Sequence, residues 1–218
     1  NSLNANLAYD IKQLDANNMA ILFNISENSK KTYIRNIIIK GNDLTEEKVL
    51  RNNIDFAEGD LLTKLKILNS IDKLKTTGFF KDVKIKQNNV SNSDNVDIEI
   101  KIVESPTGEI GAGVGVSSSG SNVSFNFKEN NLLGKGLGFS VLGSLGTESV
   151  SANIFLTNPD FANSGNLLKT GVYVSKYENE TSGYENKIIG SSISTGFEWF
   201  EDVNLNYGIS LDMDDLTA

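Results

Sequence analysis

The sequence predicts a small α+β domain of order β-α-α-β-β, followed by the first strands of a truncated antiparallel transmembrane β-barrel. The composition changes at one point in the chain, because 3 of the 19 glycines precede Gly108 and 16 lie from Gly108 onward. The charge changes there too, since residues 1–107 carry 15 basic and 15 acidic side chains and the remaining residues carry 5 and 13. Two segments that differ this much indicate two domains of different type.

Two short alternating stretches at the start of the chain predict a β-hairpin. Leu7–Leu14 and Met19–Ile25 flank the polar residues 15–18, a cluster that favours a turn. A lone hairpin is only marginally stable in water. We therefore expect residues 1–29 to be the last hairpin of a preceding domain.

Residues 31–105 predict a complete α+β domain. A strand rich in isoleucine ends at the turn of Gly41, and a first helix follows with Thr45 as its N-cap. A second helix is expected to begin with Asp60 as its cap and to end at Gly78, because leucine and isoleucine recur between them at spacings of three and four. Two alternating strands complete the domain.

Every segment from residue 107 onward alternates between apolar and small polar side chains with period two. This is the pattern of strands of about 9–11 residues with lipid on one face and a polar lumen on the other. A soluble β-sandwich has the same period with its apolar face inward, so alternation alone does not separate the two folds. The aromatic cluster Phe197, Trp199 and Phe200 at one strand end favours the membrane barrel. The seven apolar faces in residues 107–218 begin at Ile110, Val123, Phe139, Val150, Val172, Ile189 and Leu205.

The residue types that are absent restrict the chemistry of the protein. The chain contains no cysteine and no histidine, which excludes disulfides, thiolate chemistry and any catalytic triad with a histidine base. We expect no enzymatic activity, no cofactor and no metal site. The acidic second part has few lysines to neutralise phosphates, so we expect no nucleic-acid partner.

Four motifs resemble one family of outer-membrane proteins. The stretch from Tyr33 to Asn42 is similar to the opening strand and Gly-Asn turn of a POTRA domain. Leu74 to Phe80, which contains Gly78-Phe79-Phe80, resembles the end of that domain's second helix. Glu129–Gly136 and Leu156–Phe161 resemble the first two periplasmic turns of the barrel in the BamA family. Order and spacing of the motifs match this family over nearly the whole chain.

The resemblance implies a Gram-negative outer-membrane assembly factor that folds and inserts client outer-membrane proteins. Residues 1–29 would then end the fourth POTRA domain, residues 31–105 would be the fifth, and residues 107–218 would be the first strands of the barrel. The implied partners are the outer-membrane lipoproteins of the assembly complex, unfolded clients, periplasmic chaperones and the lipid bilayer. The POTRA part is expected in the periplasm.

The glycine-rich first strand of the barrel is the candidate functional site. Three glycines on one strand face supply little packing and much backbone freedom. The family implies that the seam between the first and last strands can part, and an exposed strand edge can pair with an incoming client strand. The alternative is that the glycines only relieve crowding inside the barrel. We expect the seam role for Glu109, Ile110, Gly111, Ala112, Gly113, Val114, Gly115 and Val116.

Two further candidate sites lie in the α+β domain. Glu58 matches an acidic position that the family uses to contact a lipoprotein partner, and a solvated turn carboxylate is the alternative interpretation. The last strand, with Val96, Ile98, Ile100 and Ile102, is predicted to be an edge strand that could pair with clients or with a neighbouring domain. Ordinary sheet structure is the alternative for this strand.

Two other functions remain open from the sequence. A polypeptide-secretion pore of the same superfamily would move a client through the lumen instead of into the membrane. A structural outer-membrane barrel would have no insertase role. The structural barrel does not explain why Ser105-Pro106-Thr107 joins the α+β domain directly to the first strand.

Overall fold

A computed structural model describes residues 5–13, 18–27, 31–91, 93–117, 120–179, 183–200 and 203–217. This described part forms twelve strands and two helices, and neither helix is long and apolar enough to cross a membrane. The chain divides into two compact units. The first unit contains residues 1–42 and 53–104, and the second contains residues 43–52 and 105–218.

The first unit begins with an antiparallel hairpin. β1 (Ala5–Gln13) pairs with β2 (Met19–Glu27), so that Tyr9 lies opposite Phe23. The predicted hairpin is confirmed, and residues 15–17 of its predicted turn lie outside the described residues.

A three-stranded sheet forms most of the first unit. β3 (Tyr33–Lys40) pairs in parallel with β5 (Asn95–Glu104), and β4 (Phe80–Asn89) pairs with β5 in the antiparallel direction. α2 (Lys64–Thr76) precedes β4 and contacts it. The buried core of this unit consists of Ile34, Ile37, Phe56, Leu62, Leu74, Phe79, Phe80, Val83, Val96, Ile98, Ile100 and Ile102.

The second helix begins later than predicted, because Asp60 is not its cap. The N-cap is Thr63, whose hydroxyl accepts a hydrogen bond from the backbone N of Lys66 at 3.2 Å. The backbone of Asp60 is instead paired with the start of β3, where its carbonyl accepts from Ile34 N at 3.0 Å. A residue committed to this extended pairing lies outside the helix, so the next hydroxyl residue caps it.

The prediction that the last strand of this domain is an edge strand is wrong. β5 lies in the middle of the order β3-β5-β4 and is paired on both sides. Val96, Ile98, Ile100 and Ile102 are each at most 5% exposed. A parallel pair requires a long crossover connection, which lets the last strand return between the first strand and β4. The edges of this sheet are β3 and β4.

The second unit contains one antiparallel sheet whose seven strands pair in sequence order, from β6 at one edge to β12 at the other. All seven predicted strands are confirmed. A short helix, α1 (Glu47–Asn52), belongs to the same unit. The strands are β6 (Gly108–Ser117), β7 (Gly120–Leu132), β8 (Leu137–Gly146), β9 (Ser149–Phe161), β10 (Asn166–Asn179), β11 (Tyr184–Phe200) and β12 (Val203–Thr217).

The apolar face of the seven-stranded sheet has no second layer over it among the described residues of its own unit. No apolar side chain among the described residues from 105 onward is buried. Ile154 and Val174, in the middle of the sheet, are 42% and 38% exposed. A β-sandwich would bury this face against another sheet. The arrangement therefore favours lipid as the surroundings of the apolar face.

Aromatic rings on the opposite face lie over glycines of neighbouring strands. Tyr173 is opposite Gly190, and Gly190 is opposite Asp212, so the three residues form one row across β10, β11 and β12. The Tyr173 hydroxyl donates a hydrogen bond to the Asp212 carboxylate. A Cβ atom added at Gly190 would lie 2.5 Å from Cζ of Tyr173. The glycine leaves the space that the ring occupies, an arrangement known as aromatic rescue.

The central position of β5 predicts a large difference between two valines on the same strand. Val96 is 3% exposed and Val103 is 53% exposed. Val96→Ala is expected to destabilise the first unit by about 2 kcal/mol, because two buried methyl groups are lost and a cavity is left. Val103→Ala is the matched control and should cost less than about 0.5 kcal/mol. Native-state amide exchange of β5 measures the loss of stability in both variants. Equal losses would contradict the buried position of Val96 in a central strand.

The row of Tyr173, Gly190 and Asp212 predicts which glycines of the sheet tolerate a side chain. Gly190→Ala is expected to cost about 1–3 kcal/mol, because its methyl group displaces the Tyr173 ring. Gly143→Ala is the control, since the nearest atom to its Cβ is a carbonyl oxygen 3.9 Å away. The measurement is the temperature at which the folded, heat-modifiable form of the full-length protein is lost on a gel. A shift for Gly143→Ala as large as that for Gly190→Ala would contradict the packing argument.

Candidate functional site: the open edge of the sheet

The glycine-rich strand β6 is paired on one side within the described part of the chain. It pairs with β7 from Gly108, opposite Glu129, to Ser117, opposite Gly120. In an antiparallel pair, alternate residues direct their backbone N–H and C=O groups away from the partner strand. The outer edge of β6 therefore presents a row of backbone donors and acceptors that another strand can pair with.

Among the described residues, the apolar side chains of β6 have a neighbouring strand on one side only. Ile110, Val114 and Val116 are 76%, 84% and 88% exposed, about twice the value of Ile154 within the sheet. Little side-chain packing therefore fixes the apolar face of β6 to the sheet.

The glycine face of β6 is covered by polar side chains of β7. Gly111, Gly113 and Gly115 lie opposite Asn126, Ser124 and Asn122. A Cβ atom at Gly111 would lie 2.2 Å from Oδ1 of Asn126, and one at Gly115 would lie 2.3 Å from Oδ1 of Asn122. The Ser124 hydroxyl donates to the Gly113 carbonyl at 3.5 Å. Backbone hydrogen bonds, more than side-chain packing, therefore hold β6 to β7. All eight predicted seam residues lie on this strand.

The turn between β7 and β8 is fixed by a buried asparagine. The Oδ1 atom of Asn131 accepts from Gly136 N at 2.7 Å, and its Nδ2 atom donates to the Thr45 hydroxyl at 2.9 Å. Leu133, Gly134 and Gly136 have φ angles of 56°, 73° and 67°, in the left-handed region. The amide closes a loop whose conformation is otherwise costly for non-glycine residues.

The turn between β9 and β10 is held in a similar way. Oδ1 of Asp160 accepts from Gly165 N at 2.8 Å. The side-chain amide of Asn52, at the end of α1, donates to Oδ2 of Asp160 at 2.9 Å and to Oδ1 of Asn163 at 3.2 Å. Residues 43–52 therefore contact both the β7–β8 turn and the β9–β10 turn.

Glu58 lies in the first unit, in the loop before α2, and its side chain is exposed. The loop is anchored on both sides of it, since Phe56 is buried and Gly59 N donates to the Ile34 carbonyl at 2.7 Å. The Glu58 side chain is therefore exposed on a loop whose backbone is held in place on both sides. Glu58 belongs to the first unit, whereas β6 belongs to the second.

Sequence reasoning missed the roles of Asn131, Thr45 and Asn52. The sequence places Asn131 within a family motif and predicts Thr45 as a helix cap, and neither prediction includes a contact between them. A signal was present, because a turn with two glycines and an asparagine often needs a side-chain amide to satisfy its backbone groups. The partner of that amide, 86 residues away in the chain, cannot be read from local sequence.

Two family models match the chain. The POTRA model, described as a surface antigen variable number repeat, matches residues 32–105. The Omp85 superfamily domain matches residues 131–218. The first match coincides with the α+β domain, and the second lies within the seven-stranded sheet.

Several known proteins are similar to this chain. The outer membrane protein assembly factor BamA of Neorickettsia risticii is 30% identical over 208 residues, which cover 92% of this chain and 27% of the relative. The crystal structure of BamA from Haemophilus ducreyi lacking POTRA domains 1-3 has a TM-score of 0.81 at 29% identity, covering 99% of this chain and 42% of that chain. CdiB from Escherichia coli, with a TM-score of 0.57 at 14% identity over 97% of this chain and 42% of that chain, shares the fold alone.

These similarities confirm the resemblance that the four motifs indicate. The chain spans about a quarter of the length of the curated relatives it matches. Its seven-stranded sheet corresponds to part of the BamA barrel.

Proposed function

Because this chain is a POTRA domain joined to an Omp85 superfamily domain, we propose that it acts as part of an outer-membrane assembly factor that folds and inserts client outer-membrane proteins. The observation that carries the proposal is the open edge of β6, with glycines on one face and unpacked apolar side chains on the other. No bond is broken in this function, so no catalytic residue or cofactor is required.

The proposed mechanism is strand templating at a seam beside β6. In lipid, each unpaired backbone N–H or C=O group costs several kcal/mol, so a client strand gains by pairing as it enters the membrane. The outer edge of β6, over Glu109–Val116, offers the donors and acceptors for that pairing. Because β6 is held mainly by backbone hydrogen bonds to β7, it can shift to admit the client without losing a packed core.

The partners of the whole protein follow from the same proposal. The barrel strands lie in the outer membrane, and the POTRA domain extends into the periplasm, where it meets periplasmic chaperones and unfolded clients. Outer-membrane lipoproteins of the assembly complex bind the POTRA domain, with Glu58 as one contact. A secretion pore would use the same fold, but it would release its client outside the membrane.

The glycines of β6 provide the first test. Replacing Gly111, Gly113 and Gly115 together with valine is expected to slow client insertion on the order of tenfold, because β-branched side chains stiffen the strand. The assay is insertion of a radiolabelled client barrel into liposomes that contain the full-length protein and its lipoprotein partners. Gly143→Val, on the interior strand β8, is the control and should leave the rate unchanged.

The outcome separates the candidate functions. An unchanged insertion rate in the triple valine variant, with heat-modifiability intact, would contradict the seam role of β6. Appearance of the client in the external medium instead of the bilayer would identify a secretion pore.

Glu58 provides the second test. Glu58→Lys is expected to reduce co-purification of the lipoprotein partners with the tagged full-length protein by roughly tenfold, since charge reversal at an interface is repulsive. Asp72→Lys reverses an exposed acidic residue on α2 of the same unit and is the matched control. Equal recovery of the lipoproteins with Glu58→Lys and with the unaltered protein would refute the contact.

A further inference from the structure

The segment Asp43–Asn52, called here the connecting segment, lies in the sequence between β3 and α2 but belongs to the unit of the seven-stranded sheet. It contacts the β7–β8 turn through Thr45 and the β9–β10 turn through Asn52. A segment that comes from the α+β part of the sequence is therefore hydrogen-bonded to two turns of the seven-stranded sheet.

The contact at the β7–β8 turn is the more deeply buried of the two. Thr45 is 3% exposed and Asn131 is 8% exposed. Their hydrogen bond is 2.9 Å long, and the other end of the Asn131 amide is satisfied by Gly136 N. A buried amide without a hydrogen-bond partner is costly in free energy, so the arrangement with the Thr45–Asn131 hydrogen bond is favoured over one without it.

The backbones also approach closely beside this pair. Glu46 N donates to the Gly134 carbonyl at 2.9 Å. A Cβ atom at Gly134 would lie 1.9 Å from the carbonyl oxygen of Leu44, and the φ angle of Gly134 is +73°. Glycine is thus required at this position for two reasons, namely the backbone conformation and the close contact with the connecting segment.

A continuous set of hydrogen bonds runs from this turn to the base of β6. Asn131 N donates to Oε1 of Glu129 at 2.8 Å, and the same carboxylate oxygen accepts from the Thr107 hydroxyl. The Thr107 carbonyl accepts from both the backbone N and Nδ2 of Asn130, each at 3.1 Å. Thr107 directly precedes Gly108, the first residue of β6. The turn therefore holds the point at which the candidate seam strand begins.

We propose that Thr45 and Asn131 are positioning residues for β6, through which the connecting segment sets how readily the outer edge of that strand opens. Thr45 fixes Asn131, Asn131 and Glu129 fix the turn, and the turn fixes Thr107. The consequence for client insertion rests on the proposed function, whereas the control of strand opening does not.

Hydrogen–deuterium exchange of the full-length protein in lipid nanodiscs tests this directly. Thr45→Val keeps the shape of the side chain and removes the acceptor for Asn131. It is expected to raise the exchange rate of the β6 amides on the order of tenfold, with β11 amides unchanged. Thr45→Ser keeps the hydroxyl and should exchange like the unaltered protein.

A second pair of variants acts on the backbone contact. Gly134→Ala is expected to accelerate β6 exchange as Thr45→Val does. Gly165→Ala is its matched control, because Gly165 has a similar φ of +72° but no atom within 4 Å of its Cβ position. It carries the same backbone strain without the clash, so β6 exchange should not change.

Two results would overturn the inference. One is unchanged β6 exchange in Thr45→Val, and the other is an equal rise in β6 and β11, which would mean general loosening of the sheet. Client insertion by the same variants separates this inference from the proposed function. Faster β6 exchange with an unaltered insertion rate would support the positioning role and contradict templating at the seam.

Discussion

Backbone hydrogen-bond pairing at strand edges is the constraint on which this molecule depends. Five of the seven strands in the sheet of the second unit have partners on both sides, whereas β6 and β12 have one partner each within the described residues. In lipid an unpaired edge is far more costly than in water, because no solvent can take the place of the missing strand. An edge strand with little side-chain packing therefore has much to gain from a new partner.

The glycines of the sheet differ in what fills the space beside them. Within the sheet, Tyr173 over Gly190 and Phe155 over Gly171 place aromatic rings on glycines, so the missing side chains are compensated by a neighbour. On β6, Gly111, Gly113 and Gly115 face Asn and Ser side chains of β7, whose ends can move aside. Glycine therefore has opposite effects in the two places. It lets an aromatic ring pack on an interior strand, whereas on β6 it leaves the strand with little side-chain packing.

The β7–β8 and β9–β10 turns, in contrast, are held in place by hydrogen bonds. Hydrogen bonds centred on the buried Asn131 and the half-buried Asp160 satisfy backbone groups of the β7–β8 and β9–β10 turns and join both turns to residues 43–52. Hydrogen bonds of this kind specify one arrangement, because leaving an amide unpaired in a buried site is expensive. The strand is consequently anchored where it starts and unpaired along its outer edge within the described residues, a combination that fits the proposed opening at the seam.

The sequence by itself determined the local features: the period-two strands, their apolar and polar faces, the glycine-rich strand and the division of the chain near residue 107. The strands and their faces follow from side-chain alternation, which is a property of each strand alone. The division of the chain follows from the change in glycine content and charge. The tertiary structure decided which strands are neighbours. Val96–Ile102 has the alternation of any strand, and only the parallel pairing with β3 makes it central. Thr45 is a good cap by sequence, yet α1 begins two residues later, at Glu47, and the Thr45 hydroxyl accepts a hydrogen bond from Asn131, 86 residues away. Long-range pairings of this kind depend on chain topology, which local sequence does not encode.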